Sequence, residues 1–168
     1  MQTEPNNYAG DIMKTNVSFE QQSKEAQQWL TEIAELMDVP KRKDWAISAL
    51  KAVLHTLRDR TTLQEVFHLS AQLPVLIRGL YLESYKPTGK PLKMNATEFM
   101  QMIKDNMGPG VEVSPDVAFQ AVMTVLYNKV APGELDDIKG SMPKSIQRFW
   151  NLIPLKNLSQ QSMNTLID

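Results

Sequence analysis

The strongest constraint on this chain is an internal register. Residues 28–81 lie over residues 97–150 at a constant offset of 69, without a gap. Eight positions are identical, which proves little alone, but the pattern around them is matched. Pro40 meets Pro109, Ala49 meets Ala118, and Ala52-Val53 meets Ala121-Val122. Leu57 meets Leu126, Glu65 meets Glu134, Pro74 meets Pro143, and Ile77 meets Ile146. A helix breaker thus recurs at the same junction, with apolar faces on both sides. The fold expected is all-α: two pseudo-repeated four-helix units. Units of about 55 residues bury little surface alone, so the two are expected to pack into one helical-bundle domain.

The helices follow from the period of the apolar residues. Ser18 is a candidate N-cap, and Ala26, Leu30, Ile33 and Met37 form a stripe that should stop near Asp38, ahead of Pro40. Asp44–Arg60 carries Ala46, Leu50, Val53, Leu54 and Leu57 on one face, with Lys51, His55, Arg58 and Asp59 on the other. Thr62 and Glu65 suggest a capping box for a third helix with Leu63, Val66, Phe67, Leu69 and Leu73 inside. Pro74 opens a fourth, with Leu76, Ile77, Leu80 and Tyr81. The second unit repeats this order. Thr97–Met107 is helical and Gly108-Pro109-Gly110 turns. Ser114-Pro115 starts a helix holding Val117, Phe119, Val122, Met123 and Leu126. Pro132 opens a helix to Met142, and Pro143 opens the last. No segment alternates as a strand would. The expected organisation is a flexible arm over 1–17, one domain over 18–153 and a tail over 154–168. Within the domain, repeat one covers 18–83, a Pro/Gly linker 84–95 and repeat two 96–153.

The second and fourth helices carry two connected motifs, Ala52–Arg60 (AVLHTLRDR) and Ala71–Tyr81 (AQLPVLIRGLY). In these the chain resembles a bacterial family known as domain of unknown function 2267. Its members show a similar A-V-L-H-x-L-R-D-R stretch, then A-Q-L-P-x-L-I-R-G-x-Y, an aromatic turn and a Pro-Gly linker. The resemblance covers roughly residues 20–150. Thr61-Thr62 stands here where the family often has Leu-Pro, and either pair can begin a helix. The resemblance implies an all-helical protein and no established activity.

Composition removes several chemistries. There is no Cys, hence no disulfide, thiol nucleophile or thiolate metal site. No apolar run reaches the length of a membrane helix, and the polar start lacks the features of a signal peptide, so a cytoplasmic protein is expected. His55 and His68 stand on different helices with no metal-binding spacing, so no metal is expected. Ser48 lies two turns from His55, too far for a nucleophile and its base, and no phosphate loop is present. No enzyme activity and no cofactor are expected.

The polar residues that remain form one candidate site. His55, Arg58 and Asp59 leave the second helix, Gln72 precedes Pro74, and Arg78, Tyr81 and Tyr85 come from the fourth helix and its exit. If those helices are neighbours, an arginine pair with tyrosine hydroxyls would suit a carboxylate or phosphate. The competing reading is structural, with Arg58 or Arg78 bonding Asp59 and the orphan carbonyls near Pro74. The corresponding second-unit residues are Tyr127, Asn128 and Gln147, so this chemistry is not duplicated.

Charge adds one more possibility. Residues 41–93 hold ten basic and four acidic side chains, although the whole chain carries only −1. Ten methionines and the apolar residues of arm and tail (Tyr8, Met13, Leu155, Leu158, Leu166) allow for helix docking or a dimer. The leading expectation is a non-enzymatic interaction or regulatory protein, working through a protein partner or self-association. The alternatives are a small-anion or ligand sensor using the Arg/Tyr groove, and weak nucleic-acid binding through the basic middle block.

Overall fold

The computed structural model describes residues 18–154. The expected arm, the tail beyond residue 154 and the apolar residues named in both lie outside them. Among the described residues there are eight helices and no strand. They are α1 (Phe19–Leu36), α2 (Lys43–Arg60), α3 (Leu63–Gln72), α4 (Val75–Leu82), α5 (Ala96–Met107), α6 (Pro115–Lys129), α7 (Pro132–Gly140) and α8 (Lys144–Trp150). Helices α3 and α7 start 69 residues apart, as do α4 and α8, and α2 and α6 end 69 apart.

Local chemistry sets these boundaries. The Ser18, Thr62, Asn95 and Ser114 side chains accept hydrogen bonds from backbone N–H groups of the first turn they cap. Among the described residues only Asn95 and Glu98 complete a reciprocal capping box; the one expected at Thr62 is half formed, because the Glu65 carboxylate turns elsewhere. Asp38, at φ 60°, and Gly108, at φ 84°, turn the chain out of α1 and α5.

Helix α2 is the hub. It packs on α1, α4, α5 and α6, and most extensively on α5. Helix α1 also meets α4 and α6, while α3 meets α4 and α7. A single apolar cluster therefore runs through both halves, from Trp29 and Ile33 through Leu50, Leu54 and Phe99 to Phe119 and Trp150. Phe119 lies edge-on to Phe99 at 5.7 Å and to Trp150 at 5.9 Å. The segment after α4 is anchored as well: Leu92 N–H donates to the Asp59 carbonyl at 2.7 Å, and Met94 is buried. No helix here is long and apolar enough to cross a membrane.

Several residues expected inside lie outside. Leu63, Phe67, Leu76 and Val117 are exposed, Phe67 at 58%. The buried face of α3 is Val66, Leu69, Ser70 and Leu73. At 100° per residue Phe67 stands about 160° round from Leu69, so it cannot share that face. Arg58 is corrected in the other direction: expected on the solvent side of α2, it is buried.

Candidate functional site

The α2–α4 contact gathers most of the residues singled out above. The buried Arg58 guanidinium donates from Nη1 to the carbonyls of Tyr81, at 2.8 Å, and Glu83, at 2.7 Å. These are carbonyls of the α4 C-terminus, where the helix has no N–H partners left to offer and its dipole favours a cation. Arg58 Nε donates to Asp59 at 3.0 Å, and Lys90 reaches the other Asp59 oxygen at 3.8 Å. The Tyr85 ring covers the guanidinium at 5.2 Å. His55 Nε2 lies 2.7 Å from the Leu80 carbonyl. Burial pushes the His55 imidazole below its usual range, partly opposed by that hydrogen bond. Tyr81 is fully buried, and burial raises its phenol far above the ordinary value. Lys51 closes the edge with a 2.6 Å pair to Glu83.

Arg78 and Gln72 serve different helix ends. Arg78 Nε donates to the Ser70 carbonyl at 2.8 Å and Nη2 to the Leu73 carbonyl at 3.0 Å, so it caps the last turn of α3 ahead of Pro74. Gln147, at the corresponding place in α8, donates to the Met142 carbonyl at 2.8 Å. Two side chains of different charge thus do the same work, which marks Arg78 as a cap. Gln72 Oε1 accepts from the Ala131 N–H at 2.8 Å, across to the start of α7. Arg58 and Arg78 therefore bind carbonyls at the ends of two separate helices. Arg78→Ala is expected to cost about 1–3 kcal/mol in urea unfolding, the penalty for carbonyls left short of a donor. Arg78→Gln should recover part of it, and equal losses in both variants would contradict the capping role.

Four of the ten basic side chains of the middle block pair with acidic residues of the same block. Arg42 pairs with Asp44, Arg58 and Lys90 with Asp59, and Lys51 with Glu83. Glu32 of α1, the acidic first helix, pairs instead with Lys129 of α6.

Glu65 is the acidic residue of that block that pairs with no lysine or arginine among the described residues, and it belongs to a second cluster. Where α3 packs on α7, Glu65, His68 and Glu134 each bring one ligand atom within 4.8 Å of the others. His68 Nδ1 is 4.0 Å from Glu65 Oε2. Oε2 of Glu65 and Oε2 of Glu134 are both shielded from solvent, and neither accepts a hydrogen bond from any described residue. Each glutamate is the third residue of its helix, where the helix dipole favours a carboxylate. The sequence reading assigned His68 to no site and took Glu65 for a cap. A signal was present: among the eight identities at offset 69, Glu65 and Glu134 are the only polar pair.

A search of curated proteins finds no match to the chain. A family model described as an uncharacterized conserved protein, DUF2267, matches residues 26–149, which span α2 through α7 whole with the greater part of α1 and α8. The two motifs on α2 and α3–α4, whose Arg58 and Arg78 cap helix ends, lie inside that span, and the chain belongs to the DUF2267 family.

Proposed function

We propose that the chain is a non-enzymatic interaction protein that associates with a second copy of itself through the outer face of α3. The observation that carries this reading is the exposed stripe Leu63, Phe67 and Ala71, one helical turn apart each, with Val75 and Leu76 exposed just beyond. The stripe is centred on Phe67 and carries no charge. A twofold axis through Phe67 would set two α3 helices antiparallel, Phe67 on Phe67 and Leu63 on Ala71, with Gln64 and His68 beside them. That is a self-complementary, isologous contact. It belongs to the first four-helix set alone, since the second, read as its pseudo-repeat, has Pro132, Asp136 and Gly140 at those places. The anion-sensor reading draws less support, because Arg58 and Arg78 spend their donors on backbone carbonyls and Asp59.

Sedimentation velocity over a micromolar concentration series tests the proposal. The wild type is expected to shift from monomer to dimer as concentration rises. Phe67→Asp, at an exposed position, is expected to stay monomeric with an unchanged melting curve. A wild type that remains monomeric throughout, or a Phe67→Asp variant that still dimerises, would overturn it.

A further inference from the structure

We propose that Glu65, His68 and Glu134 form a binding site for one divalent transition-metal ion of the zinc class, which clamps α3 to α7.

The donor set fits that chemistry. Two carboxylates and an imidazole make a mixed oxygen and nitrogen site that suits zinc, with water able to fill a fourth position. At metal–ligand distances of about 2.0–2.2 Å, tetrahedral ligand atoms stand about 3.4 Å apart. The present atoms, within 4.8 Å of one another, need only a modest closure. The His68 side chain is about half exposed, at 49%, and has room to rotate into place.

The electrostatics point the same way. Two carboxylates whose solvent-shielded oxygens have no donor beside them repel each other unless a cation lies between them. A cation satisfies both oxygens at once. The scaffold holds them in position: α3 packs on α7, and the Gln72–Ala131 bond ties the end of one to the start of the other. The second histidine cannot compete from the same place, because His55 is on α2 and occupied by Leu80.

The test uses the full untagged chain, stripped with chelator and titrated with zinc chloride by calorimetry, alongside thermal unfolding and imidazole NMR. One zinc per chain is expected, with a Tm rise of about 5–10 °C at saturation. Of the two imidazole spin systems, only His68 should shift. Glu134→Gln and His68→Ala should each weaken binding by more than the roughly 10–100-fold that losing an outer-shell partner costs. Without metal, Glu134→Gln should melt no lower than the wild type, since the amide relieves the repulsion and can donate to Glu65. Because His68 is exposed, its variant should fold normally. No stoichiometric zinc, or zinc retained at full affinity in both variants, would overturn the proposal. So would magnesium binding as tightly as zinc, since that would leave the imidazole without a role.

Discussion

Arg58→Ala is expected to destabilise the protein by about 3–5 kcal/mol, the range for breaking a buried ion pair from one side. Two carbonyls at the end of α4 lose their donor, and Asp59 keeps only the longer contact with Lys90. For a chain of this size that corresponds to a fall in Tm of roughly 10 °C. Arg58→Lys should recover only part of the loss, because one ammonium cannot reach Tyr81, Glu83 and Asp59 in the geometry of a planar fork. Urea unfolding of the three proteins decides it. A loss below about 1 kcal/mol for the alanine variant would mean that water replaces the guanidinium at the helix end, and the site would then be a solvated surface.

Phe119→Ala is the second large effect. The ring is fully buried and edge-on to two other aromatics, so its removal deletes apolar burial and leaves a cavity between α5, α6 and α8. A loss of about 3–5 kcal/mol is expected. Phe119→Leu should cost less, because it refills most of the volume. A double-mutant cycle with Phe99→Ala should return a coupling of about 0.5–1.5 kcal/mol for the edge-to-face pair. Strict additivity would show that the cavity collapses and the aromatic geometry carries nothing of its own.

Helix positions were legible in the sequence because their signals are local. Ser18, Thr62 and Ser114 cap where their spacing to the following apolar residues places them, and Pro74 and Pro143 fall between helices. Which face of a short helix is buried was less legible. Leu63 and Phe67 share one broad apolar arc of α3 with Val66 and Leu69, and only the packing of α3 against α4 and α7 decides that Val66 and Leu69 go inward. The direction of Arg58 was hidden for a similar reason. Its destination is a pair of carbonyls 23 and 25 residues away, and backbone carbonyls leave no trace in a sequence. Arg58 and Arg78, grouped in the sequence as one polar set, are divided between two helix ends by the packing of α2 on α4 and of α3 on α4. The Glu65–Glu134 encounter is a long-range pairing of two helix starts, marked in sequence only by the shared offset.

The place of α2 at the centre has a consequence for how the molecule comes apart. Its neighbours on either side belong to different halves of the chain, and the most extensive of its contacts is with α5. Withdrawing α5 to α8 would strip one flank of α2 bare, and withdrawing α2 would leave α5 with much of its apolar surface in water. Neither half thus has an independent floor of its own. Openings large enough to reach the amides of α2 must pass through the loss of the whole body, so its slowest-exchanging protons and those of α5 report one and the same event.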